Sequence, residues 1–139
     1  MTVKREGDGG TPRARIAPLA VLVRGALPRR PTLCWRTVTS RDGWCDDATR
    51  ASYNAHVRLP ATGSHERLAR DDALYDVIVI TDHNRRPRVR GLGSAIFLHV
   101  AHPKLTPTAG CLAFSAAAWR RAAVPLGDYL VGIDPRPTR

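Results

Sequence analysis

Hydrophobic residues occur in short runs along this chain, and most runs are bounded by glycine, proline or other turn-forming residues. Three runs have the branched and aromatic composition of buried strands: Leu19–Val23, Tyr75–Ile80 and Ala95–Val100. Alternation in the third run places Phe97 and His99 on one face and the even-numbered residues on the other. The last two runs are separated by turn chemistry, so we predict a hairpin or an adjacent pair of strands.

A helix and a closing strand are predicted towards the end of the chain. Ser115 is a suitable N-cap for a helix over residues 116–123, which a proline and a glycine then stop. Residues 129–133 predict the last strand. The pattern as a whole predicts a mainly β protein with one or two short helices, in a single domain over residues 1–139.

Three other segments have weaker patterns. Residues 41–56 show no sustained period and predict irregular structure, and residues 28–31 predict a turn. Residues 65–74 predict one or two helical turns with Leu68 facing inward.

The composition is that of a basic chain of one domain's length. Its 139 residues carry 22 Lys and Arg against 12 Asp and Glu, a net charge of +10. This charge attracts anionic polymers, but the arginines are scattered and seldom interleaved with aromatic residues, so nucleic acid is not the partner we expect. The apolar runs are shorter than the ~20 residues that span a bilayer, so no membrane span is predicted.

The N-terminus lacks the apolar segment and cleavage site of a signal peptide. As the sequence stands we predict a cytoplasmic protein, and a periplasmic or cell-envelope protein if the N-terminus is incomplete. Three irregularly spaced cysteines do not suggest a disulfide framework. The residue spacings fit neither a metal site nor a phosphate or dinucleotide loop, so no cofactor and no metal are predicted.

His99 and Cys111 are the candidate chemical pair. His99 ends an apolar strand, and Cys111 follows a glycine beyond a proline-interrupted loop. A neighbouring imidazole lowers the pKa of a thiol from ~8.5, so we expect a thiolate nucleophile with a histidine base. Backbone N–H groups around Gly110 and Cys111 would stabilise the oxyanion that forms on an attacked carbonyl. The pair predicts acyl-transfer chemistry.

Other polar or reactive residues are expected to be structural. We predict Cys34 and Cys45 in the core, with a second reactive thiol as the alternative for Cys45, and His65 hydrogen-bonded to Glu66. His102 is predicted at the rim of the cleft. Residues 85–90 are predicted to form a solvated hairpin tip with outward arginines, which could also hold the carboxylates of a peptide. Ser94 and Ser115 are expected to have structural roles.

Several motifs together resemble the L,D-transpeptidase catalytic domain family (YkuD type), in a short branch. The main match is Gly93–His99 followed by Pro107–Cys111, a capped helix and a last strand. Further matches are Lys4–Pro12, Asp42–Asp47, Tyr53-Asn54 and Ser64–Leu68, and together with the main match they extend over nearly the whole chain. The chain departs from the family pattern at Ala109, where a second histidine is usual, at Phe114, where an arginine often lies nearby, and in a shorter loop after His99.

The resemblance implies a β-sandwich enzyme of bacterial peptidoglycan biosynthesis, and so of cell-wall biogenesis and cell shape. It makes Cys111 the nucleophile, His99 the base, Gly110 an oxyanion-hole position and Thr108 a supporting hydroxyl. We also expect Gly93, Tyr53 and Arg88 to contact substrate. The implied transferase reaction acylates the cysteine with a peptidoglycan stem peptide, releases D-alanine and cross-links two stems. The alternatives are an L,D-carboxypeptidase, which is a hydrolase, and a non-catalytic basic binding module.

Overall fold

The computed structural model describes residues 3–25, 31, 33–122 and 131–132. The chain there is mainly β, with one short helix. The elements in chain order are β1 (Arg15–Ile16), β2 (Pro18–Val23), β3 (Cys34–Thr37), β4 (Asp42–Cys45), β5 (Ala55–Arg58), β6 (His65–Arg67), β7 (Val77–Thr81), β8 (Phe97–Val100), β9 (Leu112–Phe114), α1 (Ala116–Ala122) and β10 (Val131–Gly132).

The strands form a five-stranded sheet, a three-stranded sheet and a two-stranded ladder. The five-stranded sheet has the order β3-β2-β7-β8-β9 and the three-stranded sheet the order β5-β4-β6, while β1 pairs with β10. The three central strands of the larger sheet are antiparallel, but β3 runs parallel to β2 and β9 runs parallel to β8. The smaller sheet is antiparallel throughout.

The three central strands of the five-stranded sheet are buried on both faces, which explains their continuous apolar runs. On one face Leu22, Ile78 and Phe97 pack in a cluster with Trp44 of the smaller sheet. On the other face, alternate residues of the same strands cluster with Trp119 of α1. The main core therefore lies between the two sheets, and the helix covers the opposite face.

The strongest sequence signals are confirmed. The three apolar runs match β2, β7 and β8 to within two residues at each end, and the last two strands pair antiparallel, with Ile78 opposite His99. Phe97 and Leu98 pack in different clusters, as the alternation predicts. Ser115 caps α1, since its Oγ accepts the Ala118 N–H at 3.1 Å. Of the predicted closing strand, residues 131–132 are described and pair with β1, while the remainder lies outside the described residues.

The prediction for residues 41–56 is wrong, because this segment contains β4 and the start of β5. Gly43 pairs with Val57, and a Cβ at Gly43 would lie 2.7 Å from Leu59 Cδ2, so glycine permits the close packing. The helical prediction for residues 65–74 is also wrong, because the segment begins with β6, which pairs Glu66 with Trp44, and continues in bends and a turn. Strands of three or four residues carry too little alternation to be recognised.

Two predicted core residues behave differently. Cys45 is buried in β4, as predicted, and Leu68 beside that sheet is also buried. Cys34 is exposed, so its core prediction is wrong; the reason is that β3 is an edge strand with all four residues exposed. The turn predicted at residues 28–31 lies outside the described residues except for Pro31.

Candidate active site

A cavity of about 310 Å³ contains both predicted chemical residues, His99 and Cys111. Its walls come from the N-terminal segment at residues 6–7, the strand β6 region with the loop that follows it, the turn before β8, and the loop at residues 106–109. The cavity therefore lies where β8, β9 and the smaller sheet meet.

The parallel pairing of β8 with β9 brings the two residues to one face of the sheet. His99 lies opposite Ala113, and Cys111 precedes Ala113 by two residues, which returns its side chain to the same face. Consistent with this, Cys111 packs against the core cluster that contains Phe97, the residue two before His99.

Hydrogen bonding fixes the tautomer of His99. Its Nδ1 lies 2.8 Å from the Val100 carbonyl oxygen, which can only accept, so Nδ1 donates and Nε2 of the neutral ring is the acceptor. The ring meets Tyr75 edge-on at 5.3 Å, and the Trp119 indole donates to the His99 carbonyl oxygen at 2.9 Å. His99 is 6% exposed, and this burial lowers the pKa of its imidazole. The resting side chain is a neutral base held on two sides.

Cys111 is a protonated thiol at rest. Its Sγ donates to the Ala95 carbonyl oxygen at 3.1 Å. Burial raises the pKa of the thiol to about 11, and the nearby Glu66 carboxylate adds to the increase, while the Phe97 backbone N–H opposes it. The predicted thiolate–imidazolium pair is therefore not the resting state. The imidazole can be found in the sequence, whereas the burial of the Cys111 thiol and the position of the Glu66 carboxylate arise only from the fold.

Thr108 and Gly110 build the turn that presents the cysteine. The Thr108 hydroxyl donates to the Cys111 carbonyl oxygen at 2.7 Å and accepts the Gly110 N–H at 3.2 Å. Gly110 has φ of +120°, and a Cβ there would lie 2.7 Å from the Gly10 carbonyl oxygen, so only glycine fits. Because the Gly110 N–H is already bonded, the Cys111 N–H is the better predicted oxyanion donor.

None of the three predicted substrate contacts is among the residues that line the cavity. Tyr53 is 2% exposed; its hydroxyl donates to Glu6 and accepts the Gly93 N–H at 3.1 Å. Arg88 donates to the Tyr53 carbonyl oxygen at 3.0 Å. In this structure the three residues hold Glu6 in the wall. A neighbouring arginine, Arg85, stacks over the Trp44 ring, so the predicted outward tip is partly folded back.

Sequence reasoning missed the acidic side of the cavity. Glu66 accepts a hydrogen bond from the Tyr75 hydroxyl, whereas His65 contacts the Gly63 carbonyl oxygen, so the predicted His65–Glu66 pair does not form. Burial raises the pKa of the Glu66 carboxyl. Asp46 lines the cavity as well, next to Cys45 at the end of β4. The available signal was that both acids lie within the motifs that carry the family resemblance.

The remaining features of the site concern cations and the rim. Arg70 lines the cavity and lies over the Tyr75 ring at 5.2 Å, with its guanidinium paired to Asp72. His102 is exposed at the rim, as predicted.

Within the described ranges, no group of three or more His, Cys, Asp or Glu is arranged to hold a metal. No helix in the described part of the chain is long and apolar enough to cross a bilayer.

Comparison with known proteins gives the chain no relative. It matches no protein-family model, no curated protein and no solved structure. The class that the fold and the cavity define is a mainly β protein with a half-buried cysteine and a neutral histidine in one cavity. The family resemblance therefore stays a prediction drawn from the sequence motifs.

Proposed function

We propose that this chain is a cysteine-dependent acyltransferase of the L,D-transpeptidase type, acting on peptidoglycan stem peptides. One observation carries the proposal: Cys111 and His99 line the same cavity, and the His99 tautomer leaves Nε2 as a proton acceptor. A thiol and an imidazole with an unprotonated nitrogen in one cavity are the groups that acyl transfer through a thioester requires. The substrate class comes from the sequence motifs, which cover nearly the whole chain.

The protonation states set the order of events in the first half-reaction. Both groups are neutral at rest, so Sγ attacks the carbonyl carbon as its proton moves to His99 Nε2. The new S–C bond leaves negative charge on the carbonyl oxygen, which the Cys111 N–H is proposed to stabilise. Collapse then breaks the C–N bond to D-alanine, whose nitrogen takes the proton from His99. A thioester on Cys111 remains.

The second half-reaction decides between the two enzymatic alternatives. In the transpeptidase, an acceptor amine attacks the thioester and gives a proton to His99. The C–S bond then breaks, His99 returns the proton to the Cys111 sulfur, and the new amide bond joins the two stems. If water attacks in its place, the product is a shortened stem peptide and the protein is an L,D-carboxypeptidase. Both reactions use the same two residues, so products are needed to distinguish them.

Acylation by a carbapenem tests the nucleophile, since this drug class acylates enzymes of the family that the chain resembles. We expect one drug mass added to the intact protein, lost in Cys111→Ser and retained in Cys34→Ser. Cys34 is the matched control because its thiol is exposed and lies outside the cavity. A folded protein that gains no adduct, or gains it on Cys34, would overturn the proposed nucleophile.

A disaccharide tetrapeptide then separates the reactions. Cross-linked dimer with free D-alanine identifies a transpeptidase, and tripeptide alone identifies a carboxypeptidase. A non-catalytic basic module predicts neither product. It predicts salt-sensitive retention on peptidoglycan that Cys111→Ala leaves unchanged, because the net charge of +10 would carry the binding.

A further inference from the structure

The N-terminal segment over residues 4–10, here called the strap, runs along one side of the candidate cavity. Its residues Glu6 and Gly7 form part of the cavity wall. The Glu6 N–H donates to the Gly91 carbonyl oxygen at 2.8 Å, and the Tyr53 hydroxyl donates to the Glu6 carboxylate. The strap is therefore fastened to the fold by its backbone and by a side chain.

The strap contacts both turns that hold the thiol of the candidate nucleophile. Near one end, the Lys4 stem packs on Gly93, where a Cβ would lie 3.1 Å from Lys4 Cγ and Cε. Two residues further along the chain, the Ala95 carbonyl oxygen accepts the hydrogen bond of the thiol. At the other end, the Gly10 carbonyl oxygen lies against Gly110, the residue before the cysteine. The strap therefore supports the nucleophile from two sides.

The Lys4 ammonium is enclosed by the strap itself. The Lys4 side chain is 8% exposed, and its Nζ donates to the Arg5 carbonyl oxygen at 2.8 Å and to the Asp8 carboxylate. Asp8 also accepts from the Arg5 and Gly10 N–H groups, at 2.8 and 2.9 Å. Because the Asp8 side chain is 35% exposed, solvent screens its negative charge more than the positive charge of Lys4. The pair therefore leaves a net positive field towards the interior.

Several charged or titratable groups face the thiol. Burial is the main cause of its raised pKa and the Glu66 charge adds to it, whereas the Phe97 N–H and the Lys4 charge lower the pKa. Burial raises the pKa of the Tyr75 hydroxyl and lowers that of the His99 imidazole, so both are neutral at rest. The other ionisable side chains of the cavity wall are Glu6, Asp46, Arg70 and His102. Lys4 is thus a positive charge that favours the ionised sulfur.

We infer that Lys4 is a positioning residue of the active site, whose ammonium favours the negative charge that develops on Cys111 as the thiol gives up its proton. The inference rests on the proposed function for the reaction that Lys4 assists, but its effect on the thiol is measurable without turnover. In the first half-reaction, negative charge passes from sulfur to the carbonyl oxygen while the proton moves to His99. A fixed cation stabilises that charge more than it stabilises the neutral thiol. The strap thereby contributes to catalysis as well as to the shape of the cavity.

Alkylation of Cys111 by iodoacetamide tests the charge directly. Lys4→Met removes the charge and keeps an unbranched side chain, and Lys4→Arg keeps the charge; both are made in the Cys34→Ser protein. At a fixed pH near 9, Lys4→Met should lower the ionised fraction of Cys111 about two- to fivefold, the effect of one partly solvated charge. The rate should fall about twofold, since the remaining thiolate is more nucleophilic. An unchanged or faster rate in Lys4→Met, or equal slowing in Lys4→Arg, would overturn the inference.

Asp8→Asn is the matched control for a disturbed strap. It removes the partner of Lys4 and so perturbs the same segment, but it takes away a negative charge and should not slow the alkylation of Cys111. A purely structural role predicts changes in the same direction in Lys4→Met and Asp8→Asn. Equal slowing in both variants, with melting temperatures that show both to be folded, would contradict an effect of charge.

Carbapenem acylation connects the charge to the reaction. Formation of the Cys111 adduct should be about two- to fivefold slower in Lys4→Met than in the native protein, and close to the native rate in Lys4→Arg. An acylation rate that Lys4→Met leaves unchanged would overturn the contribution to catalysis. Failure of the proposed function would appear separately, as absence of any Cys111 adduct in the native protein, while the alkylation rates would still report the effect of Lys4 on the thiol.

Discussion

The protonation state of Cys111 gives the sharpest prediction. Burial raises the pKa of this thiol to about 11, against ~8.5 for a free thiol. At about pH 7.5 a free thiol is roughly 10% ionised, whereas Cys111 would be ionised to about 0.03%. We therefore expect its alkylation by iodoacetamide to be about 20-fold slower than that of glutathione. The thiolate fraction is about 300-fold lower, but the greater nucleophilicity of a thiolate with a higher pKa offsets this by a factor of roughly 10–20.

The assay is a pH series from about 6 to 11 on the Cys34→Ser variant, with peptide mass spectrometry of modified Cys111. The rate should keep rising to the upper end of the series. Limited access to the buried thiol would scale all rates together and leave the inflection unchanged, so the inflection reports the pKa. An inflection at or below about pH 8.5 would refute the reasoning.

The negative charge of Glu66 contributes to the raised pKa of the Cys111 thiol, and removing that charge tests the contribution. Glu66→Gln should move the inflection to lower pH, because a neutral amide no longer opposes the thiolate while its oxygen still accepts from Tyr75. Glu6→Gln is the matched control, because it removes the same charge from another part of the cavity wall and should move the inflection less than Glu66→Gln does. An equal shift in both variants would show that the effect is not local.

Three further predictions concern the base, the turn and the fold. Burial lowers the pKa of His99 below its usual 6.5, so His99 should stay a neutral base down to that pH. We expect kcat/KM for D-alanine release to stay constant as the pH falls to about 6.5 and to decline only at lower pH. A decline that begins above pH 6.5 would contradict a lowered pKa. Gly110→Ala should lower the free energy of unfolding by about 1–3 kcal/mol more than Gly91→Ala in urea melts, since both have positive φ but only Gly110 meets another atom, the Gly10 oxygen. Asp42→Asn should lower the free energy of unfolding by about 1.5–3 kcal/mol, because it removes the charged hydrogen bond from Arg36. Arg36 lowers the pKa of the Asp42 carboxyl in the folded protein, so this stabilisation is present above pH ~3.9 and is lost as the pH falls through the folded pKa. Acid unfolding of the native protein and the variant would test the difference.

The elements predicted correctly from the sequence are those whose burial in the fold is visible in their own residue pattern. β2, β7 and β8 are apolar because both faces of their sheet are buried, so their runs are visible without knowing their partners. β4 and β6 are visible only through pairing with each other, and that information is not local. The helix was predicted from its cap, which is a local hydrogen bond.

In the candidate site, the reacting residues could be predicted from the sequence but their surroundings could not. His99 and Cys111 were named from residue type and spacing, and the structure places both in one cavity. The acidic wall could not be inferred, because Asp46 and Glu66 reach the cavity only when the smaller sheet packs against the larger one. The protonation states were missed for the same reason, since desolvation depends on the folded surroundings and not on sequence neighbours.

The parallel pairing of β8 with β9 fixes the positions of the histidine and the cysteine but leaves the loop between the two strands free to vary. Parallel neighbours cannot be joined by a tight hairpin, so residues 101–111 have to travel back along the sheet before β9 begins. Part of that return path, at residues 106–109, forms the cavity wall. Insertions or deletions in this connection would reshape the mouth while the strand register continued to hold histidine and cysteine on one face. Ligand range can therefore diverge in evolution, or be redesigned, independently of the reacting pair.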